Sequence, residues 1–227
     1  MLRDPEGIEY KVIRKLLGPT AGDVLEVGCG DGRLTGEISA FADSVVGLDP
    51  DPGSIDKAHH LLGSGIRLIL GSGESIPLED NSIDTVVFSL SLHHHQNSDN
   101  ALAEARRVLR ERGRVLVLEP RAESAIYQLF KIIHDEDDAY DKAAAAINMC
   151  SLATADKGTY ETLWRFDDFD EMVENLFGYF DMEPDRKIID RMTLLLEDRR
   201  DSIPLDMTDI TRYWLLDFHS GGEDQVP

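Results

Sequence analysis

The sequence predicts an α/β fold: a doubly wound, mostly parallel sheet with helices on both faces. Three observations predict it. Short apolar runs alternate with amphipathic helical stretches from the start of the chain to Pro120, the rhythm of strands joined by covering helices. The first apolar run ends in a glycine-rich turn that leads directly into a helix. At 227 residues and 42% hydrophobic content, the chain can build a core without disulfides or metal.

Residues 8 to 17 place Ile8, Val12, Ile13 and Leu16 at helical spacing, and Gly18-Pro19 stops that helix. Val24 to Val27 reads as a buried strand. Asp31 is positioned to cap the following helix, whose Leu34, Ile38 and Phe41 share a face. Ser44 to Leu48 is a second strand, closed by the turn-forming Asp49-Pro50-Asp51-Pro52-Gly53, and a helix runs from Ser54 to Leu62. Ile66 to Leu70 is a third strand and Asp84 to Leu90 a fourth. Asn100 to Leu109 is a helix, and Arg114 to Glu119 a fifth strand. The right-handed crossover of parallel strands leaves few topologies for this order.

The rhythm changes after Pro120. Ile126, Leu129, Phe130 and Ile133 mark a helix, and an Ala-rich helix spans Tyr140 to Cys150. Residues 151–166 read as loop. Phe169, Met172, Val173, Leu176, Phe177 and Phe180 form the strongest helical stripe in the chain, with acids at its positive end. Residues 186–196 and 209–218 each read as a strand. The expectation is therefore a single domain over residues 1–227, with 121–165 as a helical insertion after the fifth strand that folds as a lid over the sheet's ligand edge.

Charge narrows the partners. Forty-four acids against 23 Lys and Arg leave a net charge of −21. A field of that sign repels phosphate backbones, so neither nucleic acid nor an anionic membrane surface is an expected partner. Neutral or cationic small molecules are. Two cysteines, Cys29 and Cys150, stand outside any CxxC or metal-ligand spacing, which fits a reducing compartment. The opening residues carry acid and Pro instead of a basic patch and apolar run, so no signal peptide is expected and the expected location is the cytoplasm.

The informative stretch is Glu26-Val27-Gly28-Cys29-Gly30-Asp31-Gly32. Glycines at alternate positions let a ligand approach the backbone without a Cβ clash, and the helix behind them aims free N–H groups at it. The turn alone fits a dinucleotide or another nucleoside cofactor. The dinucleotide fingerprint asks for a third glycine where Arg33 stands. Asp49, at the end of the second strand, is placed to accept both hydroxyls of a ribose in either case.

Four further stretches break the tie. They are Gly71-Ser72-Gly73-Glu74-Ser75-Ile76-Pro77, Asn81-Ser82-Ile83-Asp84-Thr85-Val86-Val87, Ser91-Leu92-His93-His94, and the run from Arg107 to Pro120. With the glycine turn and Asp49, their order resembles the class I S-adenosylmethionine-dependent methyltransferases. The branch it resembles is the small-molecule type, which includes the ubiquinone/menaquinone biosynthesis C-methyltransferases.

The resemblance covers Val24 to Pro120 and implies a Rossmann-like, seven-stranded sheet with S-adenosylmethionine as cofactor. It implies that Gly28, Cys29 and Gly30 lie under the methionine part, with Glu26 ordering the turn or the cofactor's amino group. Asp49 would hold the ribose, and Pro50 would lie beside the adenine. Ser72, Gly73 and Glu74 would border the adenine, and Ser89 and Leu90 would line the methionine end. Two departures stand out. The family often has Asp where Ser72 stands, and its Pro-Gly-Gly is Glu111-Arg112-Gly113 here.

Methyl transfer from a sulfonium is an in-line displacement that asks for alignment and exclusion of water more than for a covalent group. A base is required only where the acceptor must lose a proton. His93, His94 and His95 are the candidates, read first as polar strand-end or helix-entry packing and second as a base. Three consecutive histidines point in different directions, so His93, His94 and His95 are not expected to share a metal. His134 and the acids after it read as a solvated face, and Tyr160, Trp164 and Phe166 read equally as acceptor-pocket aromatics or as ordinary packing. Cys29 is a small residue that fits under a cofactor. The expected function is methyl transfer to a small-molecule acceptor. A non-catalytic, cofactor-binding regulatory or partner protein is the alternative, and an oxidoreductase on a similar sheet is disfavoured by Arg33.

Overall fold

The computed structural model describes residues 1–218. A short strand, β1 (Leu2–Arg3), precedes helix α1 (Ile8–Leu17). That helix starts where the Asp4 carboxylate accepts from the backbone N–H groups of Ile8 and Glu9, at 2.9 and 2.8 Å, which satisfies two donors that a first helical turn leaves open.

The predicted alternation follows: β2 (Asp23–Val27), α2 (Arg33–Ser39), β3 (Ser44–Asp49), α3 (Pro52–Leu62), β4 (Arg67–Leu70), β5 (Ile83–Ser89), α4 (Ser98–Val108) and β6 (Leu109–Pro120). β2 pairs in parallel with β3 and with β5, β3 with β4, and β5 with β6. Val86, Val87 and Phe88 are all fully buried. Successive strand residues point to opposite faces, so unbroken burial means that both faces of the sheet are covered. The chain moves outward from β2 through β3 to β4, then returns to β5 on the other side of β2. That reversal opens a crevice at the carboxyl ends of β2 and its neighbours, the place where such sheets bind ligands.

Local boundaries differ in instructive ways. The N-cap position of α2 is Gly32, at φ +86°, while the expected Asp31, one residue earlier, accepts from Arg33 N at 3.1 Å. A Cβ on residue 32 would lie 2.7 Å from the Leu62 side chain, so close approach of α2 and α3 selects glycine over a better cap. β6 begins at Leu109, five residues before the predicted start, because an irregularity in its pairing with β5 accommodates Arg112 at φ +72°.

Beyond β6 come α5 (Ala125–Ile133), α6 (Asp137–Met149), β7 (Ala153–Phe166), α7 (Phe169–Tyr179), α8 (Arg186–Leu196) and β8 (Leu205–Asp217). Two expectations are overturned here. Residues 153–166, read as loop, are a strand: Tyr160, Thr162, Trp164 and Phe166 are buried at alternate positions. Residues 186–196, read as a strand, are a helix. The Asp185 side chain accepts from the N–H groups of Lys187 and Ile188, and Met192 and Leu196 are buried one turn apart. The expected strand over 209–218 is present as β8. The acids before α7 act as anticipated, with Asp168 accepting from Glu171 N at 2.9 Å.

Among the described residues the sheet has eight strands, ordered β1-β7-β8-β6-β5-β2-β3-β4. β1 runs antiparallel to β7, so the sheet is mixed, with one strand more than expected. The chain forms two compact units. One comprises Val12–Glu119, Asp138–Gly158 and the chain from Tyr213 onward. Its core is built from Leu25, Val27, Leu48, Phe88, Val117 and Leu216 with their neighbours. The other comprises Met1–Lys11, Pro120–Asp137 and Thr159–Arg212, around Phe166, Met172, Leu176, Phe177, Met192 and Leu205. In that second core Phe166 and Trp164 are packed side chains. No helix among the described residues is long and apolar enough to cross a membrane.

Candidate functional site

The glycine turn is stitched to the neighbouring strand by its backbone. The N–H groups of Gly28 and Cys29 both donate to the Leu48 carbonyl, at 2.7 and 3.0 Å. Gly28 has φ +76°, and a Cβ there would stand 2.4 Å from the Ser91 Cβ. Gly30 has φ +55°, and a Cβ there would meet nothing within 4 Å. The first glycine is thus demanded by the protein's own packing, whereas the space beside the second is open.

Asp49 ends β3 nearly buried, at 8% exposure. Its Oδ2 accepts from Gly30 N at 2.8 Å and its Oδ1 from Asp51 N at 2.9 Å. A carboxylate offers about four lone-pair directions, so each oxygen keeps one for a ligand donor. The two backbone bonds fix the carboxylate beside the open space at Gly30. Pro50 is exposed in the turn that follows, and Asp51 caps α3 by accepting from Ser54 N at 2.8 Å.

Two buried groups stiffen the turn from below. Glu26 is 2% exposed and accepts from Thr35 Oγ1 at 2.5 Å, which ties β2 to α2. Burial, with Glu26 and Asp49 adding like charge, pushes the Cys29 thiol up to about 12. The thiol is protonated and inert at neutral pH, a packing group.

The loop after β4 crosses the same strand tip. Gly71 N donates to the Asp49 carbonyl at 3.0 Å. A Cβ on Gly73 would lie 2.3 Å from His95 Nε2 and 2.5 Å from Val27 Cγ1, so this glycine is set by close approach. Ser72 Oγ accepts from Glu74 N, and Glu74 Oε1 accepts from Asn97 N, both at 3.2 Å. Ser89 ends β5. Leu90 then turns the chain at φ +53° while its N–H donates to Leu118 O at 2.9 Å, and Ser91 Oγ donates to Val27 O at 2.5 Å.

Glu26, Gly28, Cys29, Gly30 and Asp49 of the predicted set, together with the Ser72–Glu74 loop and the Ser89–Leu90 turn, are therefore drawn to the carboxyl ends of β2, β3 and β5. The three histidines differ in setting, although the His93 and His94 rings lie 4.0 Å apart between centroids. His93 is buried, with Nδ1 2.5 Å from Glu119 Oε2. His94 is exposed, and His95 Nδ1 lies 3.0 Å from Ser91 O. Sequence reasoning assigned no role to Ser91 or Glu119 and named His95 only as a candidate base. Ser91 and His95 lie inside or beside a quoted motif, but only the folded turn reveals what they touch.

Residues 25–117 match a family described as a methyltransferase domain. The chain is 37% identical over 111 residues to an uncharacterized methyltransferase of Mycobacterium tuberculosis, covering 49% of this chain and 43% of that protein. It is 30% identical over 127 residues to a demethylmenaquinone methyltransferase of Corynebacterium kroppenstedtii, covering 56% of this chain and 53% of that one. It thus spans about half the length of these curated relatives. Among solved structures it resembles the YcgJ protein of Bacillus subtilis, with TM-score 0.67 at 16% identity, covering 94% of this chain and 99% of that one; at that identity the likeness speaks for the fold. Glycine turn, strand-end carboxylate and sequence kinship coincide over one stretch, the residues 25–117 that match the methyltransferase domain family.

Proposed function

We propose that the crevice at the ends of β2, β3 and β5 binds S-adenosylmethionine and that the chain transfers its methyl group to a small-molecule acceptor. The observation that carries this reading is the open space at Gly30 flanked by Asp49, whose two oxygens each retain an acceptor position. That donor-accepting pair suits the vicinal hydroxyls of a ribose, which cannot be buried unpaired without cost.

In this reading Gly28, Cys29 and Gly30 pass beneath the methionine part, and Glu26 holds the turn in shape. Asp49 accepts from the ribose, Pro50 and the Ser72–Glu74 loop flank the adenine, and Ser89 and Leu90 border the methionine end. When bound, the cofactor supplies an electrophilic methyl group on a positively charged sulfur. The protein's part is to align acceptor and methyl group and to exclude water. A net charge of −21 favours neutral or cationic acceptors over phosphorylated ones, and the kinship with a demethylmenaquinone methyltransferase supports a small aromatic acceptor.

The test is transfer of a tritiated methyl group to 1,4-naphthohydroquinone and to a panel of phenols, followed by organic extraction. Label in the extract, dependent on Asp49, supports the reading. Tight cofactor binding with no transfer to any acceptor would instead favour a non-catalytic binding protein.

A further inference from the structure

We propose that Arg107, paired with Glu104, is a positioning residue of the cofactor crevice: from helix α4 it shapes the loop after β4 so that the Gly73 N–H meets the cofactor's purine. This inference rests on the methyltransferase reading above and deepens it.

The loop from Gly71 to Ser82 joins β4 to β5 and contains no helix or strand, so its backbone groups need partners from elsewhere. Arg107, in the last turn of α4, supplies them. Its Nε donates to Glu104 Oε1 at 2.7 Å, and its Nη2 donates to Glu104 Oε2 and to Ile76 O, both at 2.8 Å. Its Nη1 donates to Leu78 O at 2.9 Å and to Asp80 Oδ1 at 2.7 Å. These contacts use every donor that a guanidinium has. Glu104 Oε2 also accepts from Ile76 N at 2.9 Å, so Ile76 is gripped through both its N–H and its carbonyl. A lysine, with a compact ammonium and three donors, cannot reproduce this fork.

The same helix holds the near end of the loop. Asn97, the N-cap residue of α4, donates its N–H to Glu74 Oε1 at 3.2 Å. Gly71 N is bonded to Asp49 O on the other side. Gly73 is strung between these fixed points. It is buried, and among the described residues its N–H has no acceptor in the protein. A buried donor left unpaired costs free energy, and a ring nitrogen of a purine is an acceptor that relieves it. Arg107 reaches the ligand only through this loop, so its role is positioning and not chemistry.

The exposure of the pair separates this role from general stabilisation. The Arg107 and Glu104 side chains are 31% and 24% exposed, and an ion pair so open to water adds little to the stability of a whole fold. Breaking it should loosen the loop far more than it loosens the sheet.

The test uses the full-length protein with Arg107→Ala, Arg107→Lys and a control, Arg165→Ala. The control breaks a pair of similar exposure, Arg165 with Asp206, held by two bonds of 2.7 Å in the other compact unit. Calorimetric titration with S-adenosylhomocysteine should show binding at least about tenfold weaker in Arg107→Ala, a smaller loss in Arg107→Lys, and affinity within about twofold of wild type in Arg165→Ala. Hydrogen exchange of the ligand-free proteins should be faster at Gly73 and Glu74 in Arg107→Ala, while the amides of Val86, Val87 and Phe88 in β5 keep their wild-type rates.

Wild-type affinity in Arg107→Ala, an equal loss of affinity in Arg165→Ala, or faster exchange that extends equally to β5 would overturn the inference while leaving the methyltransferase reading intact. If Arg107→Ala does not fold, Arg107→Lys decides, and wild-type affinity with unchanged exchange at Gly73 in that variant would overturn the inference. Failure of the wild type to bind S-adenosylhomocysteine would overturn the methyltransferase reading instead.

Discussion

The Ser91 side chain occupies the volume that a side chain on residue 28 would need: its Cβ is 2.4 Å from the position of a Cβ on Gly28. Gly30, two residues on, has open space in the equivalent direction. The two alanine variants should therefore separate folding from binding. Gly28→Ala combines the left-handed backbone penalty of about 1–2 kcal/mol with overpacking of about 1–3 kcal/mol. Gly30→Ala incurs only the first, yet sets a methyl group where the ligand is expected. Thermal melts should rank Gly28→Ala as the less stable, at roughly 2–4 °C per kcal/mol for a chain of this size. Equal melting losses in the two variants would contradict this.

Thiol chemistry should distinguish the two cysteines. Cys29 is buried and its thiol is raised to about 12, whereas Cys150 is partly exposed. Ellman's reagent should titrate no more than one thiol in the native protein and two in guanidinium chloride. Rapid reaction of both cysteines under native conditions would mean that the turn is open where it is described as packed.

Asp209 carries a pH dependence. Burial pushes its carboxyl up from the ordinary value, against the pull of Arg3 and of hydrogen bonds from Trp164 and Ser124. The folded state then holds the proton more tightly than the unfolded state. The stability linked to this group is fully present below the unfolded value and is lost as pH rises through the raised folded one. Asp209→Asn, which keeps an acceptor for Trp164 Nε1, should raise Tm relative to wild type at pH 8, and this advantage should shrink toward pH 4. A Tm difference that does not change with pH would contradict the assignment.

What the sequence revealed follows from how local each signal is. The glycine turn, Asp49 and the parallel strands were legible because backbone permissiveness, strand-end carboxylates and unbroken apolar runs are written in adjacent residues. β7 was not, because its first half is exposed and polar, and the alternation that marks a strand starts only at Tyr160. α8 was misread since Ile188 and Ile189 suggest a strand, while Leu194 and Leu195 lie exposed and blur the helical stripe; the deciding signal was the cap at Asp185. The His93–Glu119 contact joins residues 26 apart, and Ser91 reaches Val27 across 64. Pairings at such separations exist only once neighbouring strands lie side by side.

The Asp49 carboxylate beside the gap at Gly30 is the claim on which the functional account stands, and calorimetric titration tests it most directly. Wild type should bind S-adenosylmethionine and S-adenosylhomocysteine and give no heat with NAD. Asp49→Asn, which keeps one acceptor for the backbone but loses one for the ribose, should bind both at least about tenfold more weakly, a loss of about 1.4 kcal/mol. Unchanged affinity in Asp49→Asn, or binding of NAD in place of the sulfonium nucleoside, would contradict the account.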